Sequence, residues 1–306
     1  MSRSKSFHSY LPPFALAISL LCICLRTLAP GLTWANAGSD GGDLITAAFT
    51  GGIAHPTGYP LYLLLARLFQ LLPLGSMAFR TNLMSAVFTA LAAALIYELV
   101  TRALSPVRRI QAWQAGIAAA SAFGLAPLIW SQAVITEVYA LQAFLILLIL
   151  YLYTQSEQAS PFDQKRLDCQ RGLALGLAMG NHITTLFLLP AALSLGSFQR
   201  RIGSGKSPRY ELGGHSLLRQ LIFFALGLSV YLILPLRALS HPPVNWGNPI
   251  TPERFWWLVS GGLYQGYYLG FSLSGLGEHI RAWAALLLQQ FGLPGLILGV
   301  IGLLVL

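Results

Sequence analysis

Long apolar stretches alternate with short polar segments along the whole chain. Windows of about twenty mostly apolar residues, the length that an α-helix needs to cross a bilayer, lie at 12–29, 81–100, 111–130, 133–153, 217–236 and 282–306. A further apolar window, 172–197, is interrupted by Asn181-His182. The apolar run between Pro60 and Pro73 is too short to cross and predicts a helix lying in the membrane interface. The pattern predicts an all-α, polytopic integral membrane protein whose single transmembrane domain covers 1–306.

Composition supports the same class of protein. Hydrophobic residues make up 55% of the chain and charged residues 9%, which excludes an ordinary soluble domain. The first apolar run follows Arg3 and Lys5, but no clean small-x-small cleavage pattern comes after it, so we expect an uncleaved first helix. The last window reaches the end of the sequence without a cap or a polar flank, and we expect a C-terminal part to follow it in a longer polypeptide.

The net charge of +9 is concentrated in the segments between the apolar windows. The clusters are Arg3 and Lys5, then Arg102, Arg108 and Arg109, then Lys165, Arg166 and Arg171, and finally Arg200, Arg201, Lys206, Arg209 and Arg219. Short loops rich in Lys and Arg stay on the cytoplasmic side, so the basic charge indicates topology, and we expect no nucleic-acid partner. The three cysteines, Cys22, Cys24 and Cys169, have neither a disulfide pattern nor a metal-site spacing.

The interrupted window 172–197 has two readings. If it crosses the membrane once, the basic residues between 200 and 219 lie outside. If it enters and returns as a broken hairpin with Asn181-His182 near the apex, they lie inside, together with 13 of the 19 basic residues of the chain. Gly172, Gly176 and Gly180 would let neighbouring helices approach closely. The charge asymmetry favours the hairpin, and the single crossing stays open.

With the hairpin, two long polar segments lie on the extracytoplasmic face. The first, 30–80, contains Asp40, Asp43 and the turn-rich sequence His55-Pro-Thr-Gly-Tyr59-Pro. The second, 238–281, contains His241, Asn245, Trp246 and a run of aromatic residues. Membrane packing gives no reason to gather acids, histidines and turn residues on one face, so we predict that a substrate binds there.

Several motifs in this order match a known family. Asp40-x-Gly-Asp43 and Ile53-Ala-His55-Pro56-x-Gly58-Tyr59-Pro60-Leu61 resemble the signature of membrane proteins long catalogued only as a domain of unknown function. That family is placed among the GT-C glycosyltransferases and includes an animal protein O-mannosyltransferase. The likeness continues through Phe79-Arg80-x-Asn82-Leu, Trp130-Ser-Gln-Ala-Val-x-x-Glu137-Val-Tyr139, Gly180-Asn181-His182, Pro235-Leu-Arg237-Ala238 and Asn245-Trp246-Gly247. The chain departs from the family in having Asp43 where Glu is usual, and Gly41 where a larger polar or small residue is usual.

The resemblance implies a GT-C-like helical bundle with a polar first extracytoplasmic loop. It also implies transfer of a sugar, with mannose as one candidate, from a polyprenyl-phosphate donor to a hydroxyl of an acceptor protein or glycan at the extracytoplasmic face. The partners would then be the donor lipid, the acceptor and the bilayer. The expected location is the bacterial inner membrane.

Within that reaction we expect Asp40 and Asp43 to be catalytic, because a carboxylate can accept the proton of the acceptor hydroxyl. Arg237 follows a predicted span directly, where a guanidinium can stabilise the charge of the leaving phosphate. The donor phosphate is already a leaving group, so no cofactor is required; two Asp residues alone are weak support for a divalent cation. The residues expected to bind substrate are His55, Tyr59, Arg80, Glu137, His182, Arg237, His241, Asn245 and Trp246.

Each candidate residue also has a structural alternative. Asp40 and Asp43 precede an apolar run and are typical of a helix cap and first turn. Glu137 could pair with Arg80, and His55 could be an outward-facing turn residue. The remaining alternatives are a satisfied buried polar group for His182, an interfacial aromatic belt for Trp246, and an interfacial anchor for Arg237.

Two other classes of function stay open from the sequence alone. A multi-pass transporter or lipid-handling protein also carries acids and a broken helix within the membrane, although an internal repeat is typical of transporters and the segment 40–60 has no counterpart in the second half of the chain. A membrane scaffold has no need for acids and histidines on one face.

Overall fold

The computed structural model describes residues 11–105, 109–155, 160–192, 198–201, 209–212, 214–268 and 275–305. Its α-helices are α1 (Leu11–Thr27), α2 (Gly41–Thr50), α3 (Pro60–Gln70), α4 (Met77–Leu104), α5 (Arg109–Gly124), α6 (Pro127–Ala133), α7 (Tyr139–Thr154), α8 (Pro161–Met179), α9 (Gly214–Leu228), α10 (Ile233–Ala238), α11 (Pro252–Val259), α12 (Gln265–Tyr268) and α13 (Leu276–Val305). Short 3₁₀ turns lie at Ala35–Ala37, Ile183–Leu188, Ser229–Leu232 and Gly262–Tyr264. Two four-residue strands, β1 (Phe198–Arg201) and β2 (Arg209–Leu212), pair antiparallel in the loop before α9.

The prediction of an all-α membrane protein is confirmed. Among the described residues, three helical stretches are long and apolar enough to cross a bilayer: Met77–Leu104, Gly214–Ala238 and Leu276–Leu304. The pair Gln111–Gly124 and Pro127–Ala133 passes the same test together but is bent by 65°. Leu11–Thr27, Tyr139–Thr154 and Ile183–Ala192 are shorter apolar helices. The predicted window at 133–153 therefore becomes helical only from Tyr139, which leaves Glu137 in a non-helical connector.

Helix α4 is the centre of the bundle. At one end, Ser85 donates a hydrogen bond to the carbonyl of Glu137 just before α7, and at the other end Arg102 reaches Gln155 just after it (2.8 Å). Helices α4 and α7 therefore run parallel. Helix α5 runs antiparallel to α4, since Thr101 near the end of α4 donates to the carbonyl of Ala112. Buried apolar side chains of α2, α3, α4, α7 and α8 form the main core between these elements.

Helices α8 and α9 also run parallel and pack backbone against backbone. A Cβ on Gly172 or Gly176 would overlap the backbone of α9 near Gln220 and Phe224, and one on Gly227 would overlap α8. Close approach through small residues is how membrane helices gain contact area in lipid. Since α8 and α9 run in the same direction, the chain between them has to return to the starting side. This geometry favours the hairpin, which stays a prediction; its residues 193–197 lie outside the described residues.

The two ends of the bundle differ in chemistry. One end contains the connectors after α1, α6, α8 and α10 together with α2 and α3. The other end contains the basic residues of α4, α8 and α9, among them Arg102, Arg171 and Arg219. The short apolar helix predicted after Pro60 is present as α3, with Tyr62, Leu63 and Ala66 fully buried in the core. Helices α2 and α3 thus pack against the core and support the polar connectors at this end of the bundle.

Candidate active site

Asp40 lies at the start of α2 with its carboxylate unused by the helix. It occupies the N-cap position, yet its side chain makes no capping hydrogen bond. The hydroxyl of Ser39 donates to Asp40 Oδ1 (3.2 Å), and Oδ2 lies 3.5 Å from Nε2 of His55. Because the side chain is 42% exposed, a ligand can reach the carboxylate. Asp40 therefore occupies the N-cap position without the side-chain hydrogen bond that the capping alternative expects.

Asp43, one turn later, is enclosed by donors. Its Oδ2 accepts from the His55 backbone N–H (2.9 Å) and contacts ring Nδ1 (2.7 Å), while Oδ1 accepts from the indole N–H of Trp246 (2.9 Å). Burial acts to raise the pKa of Asp43, but the hydrogen bonds from the His55 ring, the His55 amide and Trp246 outweigh it and hold the pKa below its usual value. Asp43 is accordingly an ionised anchor for His55.

His55 is buried between the two carboxylates. Nδ1 faces Asp43 and Nε2 faces Asp40, so the ring is not the outward-facing turn residue of the sequence alternative. An imidazolium would donate to both carboxylates at once, because both ring nitrogens carry a proton only in the charged form. The three side chains form one polar unit in which Asp43 orients His55 and His55 faces Asp40.

Backbone pairing holds this unit against the second polar segment. The N–H of Ile53 donates to the carbonyl of Val244 (2.9 Å), and the N–H of Trp246 donates to the carbonyl of Ile53 (3.3 Å). A Cβ at Gly52 would overlap the Val244 carbonyl, so a glycine is needed for this approach. This pairing places the indole N–H of Trp246 within hydrogen-bonding distance of Asp43.

An aromatic contact links the unit to the turn after α8. The ring of Tyr59 packs edge-on against His55 (5.0 Å between centroids) and stacks on His182 (6.2 Å), which also contacts Tyr139 (6.0 Å). Tyr59 has φ of 45°, a left-handed conformation that is unusual for a bulky residue and typical of functional sites. Burial raises the pKa of Tyr59 well above its usual range. Its hydroxyl stays protonated and serves as a donor.

His182 is placed by the polar groups of the turn that carries it. Asn181, fully buried, donates to the carbonyl of Val138 (3.3 Å) and to Gln142 Oε1 (3.0 Å), which fastens the turn to the start of α7. Nδ1 of His182 contacts the hydroxyl of Thr184 (2.9 Å). One ring nitrogen of His182 is therefore hydrogen-bonded, as the structural alternative expects. The face of the ring stacks on Tyr59, which contacts His55.

A cavity of about 430 Å³ opens beside Asp40. Asp40 and Glu137 supply its carboxylates, and its remaining lining residues are Ala37, Ser39, Thr89, Phe123, Leu128, Ile129, Gln132, Tyr139, Ala140 and Ala143. Glu137 is 4% exposed. Burial and the charge of Asp40 raise the pKa of Glu137 to about 7, whereas His55 and the backbone N–H of Val138 act to lower it. The cavity thus has two carboxyl groups in a mostly apolar enclosure, and that of Glu137 is readily protonated.

Arg80 does not pair with Glu137. Its guanidinium donates to three backbone carbonyls, those of Gln70 (2.7 Å), Leu74 (2.6 Å) and Gly75 (3.1 Å), at the end of α3. These contacts occupy the guanidinium and give it a structural role. The ion pair offered as the alternative for Glu137 is therefore absent from the described part of the chain.

The second polar segment holds the remaining candidates. Arg237, half-buried, donates to the carbonyl of Gly52 (3.2 Å) and has no carboxylate partner among the described residues. Asn245 donates to Asn248 (3.2 Å), and its buried Oδ1 has no partner. His241 is exposed, with φ of 49°. In the described part of the chain, none of these three side chains forms a hydrogen bond or ion pair with Asp40, Asp43 or His55.

Sequence reasoning missed two features of the site. It offered Trp246 as a substrate-binding or interfacial residue and did not predict the hydrogen bond to Asp43. It also did not predict that Glu137 shares a cavity with Asp40. Across the described ranges, no group of three or more His, Cys, Asp or Glu side chains is arranged to hold a metal ion, and the two Asp residues alone remain weak support for a divalent cation.

Comparison with known proteins gives one family. The family model described as the N-terminal domain of protein O-mannosyl-transferase TMEM260 matches residues 40–203. Protein O-mannosyl-transferase TMEM260 of Mus musculus is 31% identical over 256 residues, 83% of this chain and 34% of the relative. Protein O-mannosyl-transferase tmem260 of Dictyostelium discoideum is 28% identical over 309 residues, 94% of this chain and 35% of the relative. The chain thus spans about a third of the length of these relatives. No solved structure matches.

Proposed function

The chain belongs to the family of the protein O-mannosyl-transferase TMEM260 N-terminal domain, and on that premise we propose that it is a membrane glycosyltransferase of the GT-C type. The donor is a polyprenyl-phosphate sugar, with mannose as the sugar, and the acceptor is a hydroxyl group. The names of the two relatives support the sugar and the reaction class. The single observation that supports a catalytic centre in this part of the protein is the unit of Asp43, His55 and Asp40 beside a cavity.

The proposed chemistry assigns each member of the unit one task. The oxygen of the acceptor hydroxyl attacks the anomeric carbon, the bond from that carbon to the phosphate oxygen breaks, and the phosphate leaves with the bonding electrons. Asp40, exposed and unused by α2, takes the hydroxyl proton as general base. His55 faces Asp40 and holds its carboxylate in place. Asp43 has every oxygen engaged by His55 and Trp246, so we assign it a positioning role in place of the catalytic role expected from sequence.

Arg237 is the proposed site for the donor phosphate. It lies in the last turn of the apolar stretch Gly214–Ala238, at the same end as Asp40, and in the described residues no carboxylate neutralises it. One guanidinium nitrogen binds the Gly52 carbonyl, which leaves other N–H groups for phosphate oxygens. Both ring nitrogens of His55 face carboxylates, so we assign His55 to the general base Asp40 and not to the donor phosphate.

The basic residues indicate the face of the membrane. Arg102, Arg171 and Arg219 lie at the end of the bundle opposite to Asp40, and basic loops favour the cytoplasmic side. The site would then be extracytoplasmic. The protein is an integral membrane protein; its placement in the bacterial inner membrane stays a proposal, since the two named relatives are eukaryotic.

Cysteine labelling tests this topology. In a background lacking Cys22, Cys24 and Cys169, we expect Ile250→Cys to react with an impermeant maleimide from outside the cell. Lys165→Cys and His215→Cys, placed at the start of α8 and of α9, should react only after permeabilisation, because both helices start on the cytoplasmic side in the hairpin. Opposite accessibility of positions 165 and 215 would establish a single crossing at 172–197 and contradict the hairpin.

Labelled transfer by the protein in lipid vesicles tests the proposed function. With polyprenyl phosphate [³H]mannose and a Ser/Thr-containing acceptor peptide, we expect label on the peptide. Arg237→Lys should weaken donor binding about tenfold or more although charge is conserved, since an ammonium cannot reproduce bidentate contact with phosphate. Arg237→Ala should weaken it further.

Arg254→Lys is the matched control, because Arg254 lies in α11 at the same end of the bundle and is given no part in the reaction. Its donor affinity should equal that of the wild type. Wild-type affinity in Arg237→Lys would reduce Arg237 to an interfacial anchor. Transport of the lipid across the vesicle membrane without transfer would contradict the enzymatic proposal and favour a lipid-handling protein.

A further inference from the structure

Glu137 is a buried carboxyl group that the proposed chemistry does not use. Glu137 is 4% exposed and lines the cavity beside Asp40. Among the described residues, no side chain forms an ion pair or hydrogen bond with its carboxylate, which receives only the backbone N–H of Val138. A buried carboxyl group with a single backbone donor has unused hydrogen-bonding capacity, which costs free energy, so a ligand of matching chemistry is expected in the cavity.

The cavity walls restrict what that ligand can be. Phe123, Leu128, Ile129 and Tyr139 give it an apolar and aromatic surface. A phosphate or carboxylate would be repelled by Asp40 and Glu137. A hydrocarbon chain would leave the carboxyl group of Glu137 without a partner. A neutral ligand with hydroxyl groups around an apolar body satisfies both conditions.

A pyranose ring has that combination of surfaces. Its hydroxyls project around the rim and pair with carboxyl oxygens, while its C–H faces pack against aromatic and aliphatic side chains. A cavity of about 430 Å³ is within the usual size of small-molecule sites, which are mostly apolar with a few polar groups that fix orientation. The volume therefore admits one hexose with room for the attacking hydroxyl.

We propose that this cavity is the subsite for the sugar of the donor, with Glu137 binding the ring hydroxyls opposite Asp40. The inference rests on the proposed function and deepens it, since it names the residue that selects the sugar. The raised pKa of Glu137 is in keeping with this role, because a carboxyl group that is readily protonated can both donate and accept hydrogen bonds. Phosphate binding remains at Arg237, outside the cavity lining.

Binding measured with and without the sugar tests the subsite. Affinities of the protein in nanodiscs are compared for polyprenyl phosphate mannose and for polyprenyl phosphate that lacks the sugar. In the wild type the sugar should improve affinity, and Glu137→Ala should lower the affinity for polyprenyl phosphate mannose about tenfold or more, because the sugar hydroxyls lose their hydrogen-bond partner. Affinity for polyprenyl phosphate should not change.

A second variant tests the subsite independently, in case the substitution of Glu137 impairs folding. Ala143→Leu adds volume to the cavity wall and should remove the preference for the sugar-bearing lipid. Its control is Ala118→Leu, the same change on an exposed position of α5, which should leave both affinities unchanged. Thermal unfolding of each variant identifies any loss of folded protein before binding is compared.

Three results would overturn the proposal. Equal affinity of wild type and both cavity variants for polyprenyl phosphate mannose places the sugar elsewhere. A raised KM for the acceptor peptide with unchanged donor preference assigns the cavity to the acceptor. Absence of binding of either lipid by the wild type rejects the donor itself, and with it the proposed function; this outcome is distinct from the first, in which donor binding persists.

Discussion

Replacing Asp40 with asparagine is expected to slow sugar transfer by about 10²–10⁴-fold, the contribution that a positioned general base usually makes. The amide keeps the size of the side chain but cannot take the proton of the acceptor hydroxyl. Asp40 makes no capping hydrogen bond to α2, and its side chain is 42% exposed, so the helix should remain folded. The measurement is initial rate of transfer at saturating donor, with donor affinity and thermal unfolding recorded for the same samples.

The control for this variant is Thr46→Ala. Thr46 lies on the exposed face of α2, and its hydroxyl donates only to the carbonyl of Gly42 within its own helix. Transfer by this variant should stay close to that of the wild type. If Asp40→Asn retains activity within about tenfold, which is less than general-base catalysis usually contributes, the base lies elsewhere, and Glu137 across the cavity becomes the first candidate.

Replacing Asp168 with asparagine is expected to destabilise the fold by about 3–5 kcal/mol, the usual cost of removing one partner of a buried ion pair. The carboxylate is fully buried and lies 3.5 Å from Arg171 and 2.7 Å from Arg219. Arg171 is itself buried and donates to the carbonyl of Leu152, so the substitution removes a negative charge that faces a buried guanidinium. Unfolding in mixed detergent micelles measures the difference.

Asp163→Asn is the control, since Asp163 is exposed in the first turn of the same helix. A first-turn acid contributes up to about 1 kcal/mol, so this variant should lose much less stability than Asp168→Asn. A loss for Asp168→Asn no larger than that of the control would show that the ion pairs do not hold α8 and α9 together. The glycine contacts of Gly172, Gly176 and Gly227 would then account for the parallel packing.

The sequence alone determined the class of the protein, whereas the side of the membrane on which its polar segments lie stays a prediction from the basic loops. Windows of apolar residues are a local property of the chain, because each helix satisfies its own backbone in lipid, and the predicted all-α membrane protein follows from them. The choice of Asp40, His55 and Glu137 as candidates rested on the cost of placing polar residues near a membrane and on the resemblance of their motifs to a known family. The spacing of Gly172 and Gly176 likewise indicated a close helix contact before its partner in α9 was known.

Only the tertiary structure decided what each polar side chain touches. Asp43 in α2 and Trp246 in a connector are 203 residues apart, and no periodicity encodes a hydrogen bond between a helix and so distant a loop. The same holds for Arg80, which binds three carbonyls at the end of α3 instead of Glu137. Local patterns specify which face of a helix is apolar, but the partner of a polar group depends on how the connectors at one end of the bundle fold over each other. The proposed division between base, positioning residue and buried carboxyl group therefore depends on the packed molecule.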